Sequence, residues 1–284
     1  MKTIAAMTDF SERSTLALER ARAIAAASSA ELLVVHAIDD GLPRDILERR
    51  VAEAEDLLRR QAGASGTPGL RWEVAIGDTF WALHRAATNA RADLIVAGNH
   101  RRRPLRDLIR DTTVERLIRV SALPVLIART PVTASYRHAL VAIESEEGDE
   151  LVGVLADFGT ARPAGATLLH AISAPAEGLM HYAGVQREDR EDYRANIMRE
   201  ARTRLIASVR ESPIPTEIKI VDSPPAEAIA RFVEESGCDL VAVSSHARRA
   251  PVRGILGSIS SELIRYGTTD LLIVPRIVSG RRLP

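Results

Sequence analysis

This chain of 284 residues has one cysteine, Cys238. It can form no disulfide within itself and no multi-cysteine metal centre, which suits a reducing cytoplasm. Net charge is missing too, because Lys plus Arg and Asp plus Glu both number 38. No global field steers the protein to nucleic acid or to a membrane, so only local charge clusters can matter. No apolar run approaches membrane-spanning length, and the opening MKTIAAMTDF is broken by Asp9 and too short for a secretion signal. The expectation is a soluble cytoplasmic protein with neither nucleic-acid nor membrane partners. Catalytic signatures are also lacking. There is no Gly-x-Ser-x-Gly elbow, Cys238 stands beside a helix end with no evident activating partner, and His36, His100, His170 and His246 show no metal-ligand spacing.

What is present is a repeat. Residues 239–275 read DLVAVSSHARRAPVRGILGSISSELIRYGTTDLLIVP, and residues 93–128 read DLIVAGNHRRRPLRDLIRDTTVERLIRVSALPVLIA. His246 matches His100 and Arg265 matches Arg119; 246 − 100 and 265 − 119 both give 146. Each copy runs strand, basic loop, short helix and strand. The offset is 135 from Asp9 to Glu144 and 134 from His36 to His170, so about 12 residues are added between the second and third strands of the second unit. They fall in Ser173–Gln186 and in a longer helix over 188–209. His181 and Tyr182 read either as a lid over the second site or as a surface loop.

Apolar runs of strand length, such as Leu32–Ile38, alternate with helical periodicity. Leu18, Ala21, Ile24 and Ala25 mark one helix face, and Leu47, Val51, Ala54 and Leu58 mark a second. Phe80, Leu83 and Ala87 mark a third, and Trp72, Phe80 and Trp81 read as one core or interface cluster. Short connections between strands and helices predict doubly wound parallel sheets. The pattern stops at residues 129–136, RTPVTASY, a small polar linker, and restarts at His138. The expected domains are residues 1–131 and 136–278.

The opening IAAMTDFSE, the fourth-strand segments DLIVAGNH and DLVAVSSH, and the order of elements over nearly the whole chain resemble the universal stress protein family, in tandem. The resemblance implies two α/β domains, each a five-stranded parallel sheet ordered 3-2-1-4-5. It also implies that the last strands, Val125–Ala128 and Leu271–Val274, pair to make an intramolecular pseudo-dimer, with a further homodimer left open. In nucleotide-binding members, a loop of pattern Gly-x-x-Gly, nine residues, then Gly-Ser or Gly-Thr holds the ATP phosphates, and a first-strand acid holds the adenosine end. Glycines there let backbone N–H groups approach phosphate, and the helix start adds its dipole.

Carried over, these positions are Glu144, Ala171, Ser244, His246, Ala247, Arg248, Gly257, Ser258 and Ile259 in the second half. In the first half they are Asp9, Gly98, His100 and Thr112, read as degenerate. The second half keeps Gly257-Ser258 and loses the two earlier glycines to small residues, with Arg248, Arg249 and Arg253 nearby. The first half keeps Asp9 and Gly98, but Arg101 and Asp111 replace the other glycines. At about 5 Å and an effective dielectric near 20, Asp111 would cost a bound phosphate roughly 3 kcal/mol. That is enough to push a micromolar site, worth about 8 kcal/mol, toward millimolar. Either Asp111 or Thr112 caps its own helix in place of an anion, or Arg101, Arg102, Arg103 and Arg106 attract phosphate despite Asp111. The expected function is stress-response binding or regulation, with at most one adenine-nucleotide (ATP-like) site, in the second half, and neither metal nor catalytic residues. A nucleotide-free scaffold for a protein partner and a slow ATP or phosphate-ester hydrolase are the alternatives. The charge argument predicts that Asp111→Gly strengthens nucleotide binding by the first half, as read by titration calorimetry with ATP.

Overall fold

The structure, a computed structural model of the chain, describes residues 1–63, 69–99, 112–144, 148–172, 182–245 and 256–275. The first half contains β1 (Thr3–Met7), α1 (Glu12–Ser28), β2 (Glu31–Ile38), α2 (Arg44–Gly63), β3 (Leu70–Ile76), α3 (Thr79–Asn89), β4 (Leu94–Gly98), α4 (Thr113–Val120) and β5 (Val125–Ala128). The second contains β6 (His138–Ile143), α5 (Gly148–Ala156), a 3-10 turn (Gly159–Ala161), β7 (Gly165–Ile172), α6 (Arg187–Ser208), β8 (Thr216–Asp222), α7 (Pro225–Ser236), β9 (Leu240–Ser244), α8 (Ser258–Tyr266) and β10 (Asp270–Val274).

The strands form one sheet of ten, ordered β3-β2-β1-β4-β5-β10-β9-β6-β7-β8. Each half therefore has the order 3-2-1-4-5, and all its pairings are parallel. The halves join through β5 and β10, which run antiparallel, with Leu126 opposite Leu272. Those two residues are 146 apart, so a pseudo-twofold axis passes between them. Parallel strands covered on both faces need apolar residues at every position, which is why β1, β5 and β10 are buried throughout. One core layer lies under α1, α2, α5 and α6 and the other under α3, α4, α7 and α8, and both run unbroken across the seam.

The repeat has a matching clamp in each half. Asp93 accepts from the backbone N–H groups of Lys2 and Thr3, and Asp239 accepts from those of Arg137 and His138. Each carboxylate ties the start of the fourth strand to the start of the first. His36 and His170 are also a matched pair: Nδ1 of each lies 2.9 and 3.0 Å from the carbonyl oxygens of Thr8 and Ile143. Both bonds join adjacent strand ends, in line with a structural role.

Two helix-face expectations need correction. In α2 only Ala54 and Leu58 are buried, while Leu47 and Val51, nearer its start, stay half-exposed. Trp72, Phe80 and Trp81 do not form one cluster. Trp72 packs on the α1–α2 side with Arg59 over its ring, Phe80 is buried on the opposite side, and Trp81, beside it, is 54% exposed.

The residues between β5 and β6, expected to be a small polar linker, are pinned to Asp270, whose exposure is 0%. Its Oδ1 accepts from Arg129 N–H (2.8 Å), Thr130 N–H (3.0 Å) and the Thr130 hydroxyl (2.9 Å). Its Oδ2 accepts from the Tyr136 hydroxyl at 2.6 Å and lies 3.0 Å from Arg20 Nε, an ion pair rather than an aligned hydrogen bond. Arg20, in α1, also stacks on the Tyr136 ring at 4.3 Å. Arg129 continues into the second half, donating to the Leu263, Ile264 and Thr269 carbonyls. A cation at the last carbonyls of α8 also complements its dipole.

Breaking a buried ion pair from one side leaves a charge uncompensated and costs about 3–5 kcal/mol. Asp270→Ala is therefore expected to lower the urea midpoint of unfolding by that free energy, whereas Asp93→Ala, at a partly exposed clamp, costs about 1–2 kcal/mol. Tyr136 gives a second test. Burial, and next the negative charge of Asp270, push its pKa well above the ordinary phenol value. The folded state thus binds this proton more tightly than the unfolded chain, so its contribution to stability is complete below about pH 10 and declines as pH rises beyond it. Ultraviolet titration should show one of the four tyrosines ionising only as the protein unfolds.

Candidate functional site

In an open α/β sheet, ligands bind beyond the carboxyl ends of the strands where the strand order reverses. In the second half that point lies between β7 and β9, which flank β6 on opposite sides. A cleft of ≈ 550 Å³, counted out to its open mouth, lies there. Its floor is Ala142, Ile143 and Glu144 from the end of β6, with Leu169 and Ala171 from β7 and Val243 and Ser244 from β9. Pro225 and Ile229 of α7 form one wall, and Gly257, Ile259 and Ser260 at the start of α8 form the other. The structure thus brings Glu144, Ala171, Ser244, Gly257 and Ile259 together around one cavity, and Ser258 stands exposed beside it in the first turn of α8. His246, Ala247 and Arg248 lie outside the described residues, as do Arg249 and Arg253.

The end of α8 that faces the cleft is held from behind. Ser260 donates its hydroxyl to the Ser244 carbonyl at 2.9 Å, and Gly257 N–H reaches the Ser245 carbonyl at 3.2 Å. Gly257 is the N-cap, in extended conformation, and has no side chain to accept from the first-turn N–H groups. A helix start of this kind favours an anion, through N–H groups lacking an intrahelical partner and the positive end of the dipole. Sequence reasoning missed Ala142, Ile143, Leu169, Pro225, Ile229, Val243 and Ser260, the mostly apolar lining. The alternation of β6 and β9 could have assigned their faces, but not the facing of α7.

The equivalent place in the first half is built differently. Thr112 is the N-cap of α4, and its hydroxyl accepts from Glu115 N–H while the Glu115 carboxylate accepts from Thr112 N–H. This reciprocal capping box satisfies two donors with protein groups. Glu115 is 4% exposed, and its second oxygen lies 3.4 Å from Arg265 Nε of the second half. Asp111 and His100 fall outside the described residues, as do Arg101, Arg102, Arg103 and Arg106. Of the two residues expected to cap this helix, Thr112 does so.

Asp9 is exposed and turned onto its own loop, accepting from the Ser11 hydroxyl at 2.5 Å and from Ser11 N–H at 3.0 Å. Partial burial raises its pKa, but the bonds from Ser11 outweigh this and the net shift is downward. Gly98 is required by packing, because a Cβ there would lie 2.6 Å from the Arg13 carbonyl oxygen and 3.0 Å from Ser14 N. The first turn of α1 sits against the end of β4, so any side chain at 98 would push α1 away. The matched Ser244 instead lines the open cleft.

Cys238 and Tyr182 are the remaining described candidates. Cys238 is buried, and its thiol pKa is raised chiefly by that burial. Tyr182 is 94% exposed, and His181 is outside the described residues. Among the described residues no group of three or more His, Cys, Asp or Glu could hold a metal ion, and no helix is long and apolar enough to cross a membrane.

The family model for the universal stress protein family matches residues 1–129 and again 135–275. Among solved structures, a universal stress protein from Archaeoglobus fulgidus is similar over 96% of this chain and 98% of its own, at 19% identity and a TM-score of 0.70. A functionally unknown protein from Pseudomonas aeruginosa PAO1 is similar over 97% of this chain and 92% of its own, at 16% identity and a TM-score of 0.70. A putative universal stress protein from Pseudomonas aeruginosa UCBPP-PA14 covers 97% and 93%, at 16% identity and 0.68. At these identities the likeness is one of fold. No curated protein matches the chain. With two family matches on two halves of one strand order, joined through their last strands, the chain belongs to the universal stress protein family as a tandem of two of its domains.

Proposed function

We propose that the chain is a non-catalytic binding and regulatory protein of the stress response, with one adenine-nucleotide site in its second half. The observation that carries this reading is the contrast between two equivalent helix starts. Gly257 leaves the start of α8 open onto a cleft, whereas Thr112 and Glu115 fill the start of α4 with the protein's own acceptors. The apolar lining of Ala142, Leu169, Ala171, Ile229 and Val243 suits the flat face of a base, and the α8 terminus with Ser258 suits phosphate oxygens. Glu144, at the end of β6, would accept from the ribose hydroxyls. The two domains are residues 1–131 and 136–278, the second carrying the site, and the protein acts in the cytoplasm.

Titrating the purified protein with ATP, with and without Mg²⁺, tests the reading. The expected result is one equivalent bound per chain without phosphate release. No binding up to about 1 mM, a standard free energy near −4 kcal/mol, would leave the scaffold reading. Turnover lost on Ser258→Ala would establish a hydrolase instead. Gly257→Asp, which copies Asp111 of the first half, should weaken ATP by about a hundredfold, the equivalent of roughly 3 kcal/mol of like-charge repulsion. It should leave the fold intact, since Asp is a good N-cap. The capping box replaces the expectation from charge alone: Asp111→Gly should add no second equivalent while the Thr112–Glu115 box stays in place. A second equivalent would show that charge alone closes the first half.

A further inference from the structure

The helix whose start opens onto the cleft is only lightly seated by burial. In α8, Ser258–Tyr266, the buried residues are Ser260 and Ile264, with Ile259 and Leu263 partly buried beside them. A helix this short is marginal by itself and depends on its surroundings for its place. Apolar burial is non-directional, so it holds α8 against the sheet without fixing how far the helix slides along its own axis. The directional constraints are polar, and they sit at its two ends.

At the near end, Ser260 and Gly257 bond the Ser244 and Ser245 carbonyls. At the far end the constraint is Arg129, which follows β5 in the first half. Its Nη2 donates to the Leu263 and Ile264 carbonyls and its Nη1 to the Thr269 carbonyl, each at 2.9 Å. The guanidinium thus grips both the last turn of α8 and the turn into β10. Gly267, the C-cap, makes room for it, because a Cβ there would lie 2.5 Å from Arg129 Nη1 and 2.7 Å from the Leu263 carbonyl oxygen. On the same last turn, Arg265 lies 3.4 Å from Glu115 of α4. Both far-end contacts come from the first half, and neither Arg129 nor Glu115 lines the cleft.

We propose that Arg129 is a positioning residue for the nucleotide site: by holding the far end of α8 it sets where the near end presents its N–H groups. The first half thereby sets the affinity of a cleft whose lining belongs to the second. This rests on the nucleotide reading given above. A nine-residue helix is about 13 Å long and shifts as one rod, so slack at its last carbonyls reaches its first N–H groups. Those groups serve a phosphate only at hydrogen-bond distance. The coupling is reciprocal, so a ligand that steadies the start of α8 also steadies its grip on Arg129.

The test compares Arg129→Met with Asp93→Ala in the whole chain. Arg129→Met removes the fork and keeps the backbone N–H that Asp270 accepts from, while Asp93 clamps the first half away from α8. Titration calorimetry with ATP should show Arg129→Met weakened by about tenfold, within the range of indirect coupling. Asp93→Ala should bind as the unaltered protein does, although both changes lower the urea midpoint. Arg129→Lys keeps the charge without the fork, so its affinity should fall between, and it serves if the Met variant does not fold. Amide exchange at Ser261, whose N–H bonds the Gly257 carbonyl at 2.9 Å, reads the near end with no ligand present. Measured against β1 amides, which report global opening, it should quicken by about tenfold in Arg129→Met and stay unchanged in Asp93→Ala. If the unaltered protein binds no ATP, the nucleotide reading fails and Ser261 exchange alone decides whether Arg129 positions α8. Unaltered ATP affinity in an Arg129 variant that folds, an equal loss in Asp93→Ala, or unaltered Ser261 exchange would overturn the proposal.

Discussion

A single fully buried carboxylate organises the centre of this molecule. Asp270 sits at the first residue of β10, where burial would be prohibitive for an isolated charge. It is tolerated because Arg20 supplies the cation, and two backbone N–H groups and two hydroxyls fill its remaining acceptor sites. These partners come from α1, from the end of β5 and from the connection to the second half. Satisfying one carboxylate therefore fixes the seam strand, the path of the linker and the seat of α1 together. Arg129 then extends the constraint to the last carbonyls of α8. The helix whose start faces the cleft is thus held at its far end by a residue of the first half.

The two halves share a fold but have divided its opportunities. A helix start can satisfy its free N–H groups once, with the protein's own acceptors or with a ligand. At α4 the protein has used its own, and Arg265 from the other half steadies Glu115 in that role. At α8 a glycine leaves the choice to the surroundings. Gly98 makes the same point: a glycine read as making room for phosphate makes room instead for the backbone of α1. Identical architecture does not carry identical chemistry, because the site depends on a few side chains at element ends that the core does not constrain.

Much of the fold was legible in the chain. The 146-residue offset revealed the duplication, buried parallel strands appeared as unbroken apolar runs, and Ala21, Ile24, Phe80, Leu83 and Ala87 were identified as inward-facing. The candidate site was legible mainly at Glu144, Ser244, Gly257 and Ser258, which lie on the repeated motif. Leu169, Pro225 and Ile229 were not, since they carry no chemical signature and become wall residues only when α7 packs beside β7. Arg20 carries no signal in the sequence that sets it apart from other helix arginines, and Tyr136 falls in the stretch read as a small polar linker. Each takes its meaning from Asp270, which is 134 positions from Tyr136.

The sequence by itself determined the element order, the duplication and the local caps, because helix and strand periods and end signals depend on residues within a few positions of one another. The tertiary structure alone decided that the residues between β5 and β6 are clamped, that Arg265 of the second half reaches Glu115 and that Arg129 of the first half holds the end of α8. Those outcomes rest on charges and N–H groups brought together from distant parts of the chain, such as Arg129 and Asp270, 141 positions apart. Burial makes each such group require a partner, and only the folded chain shows which one is within reach.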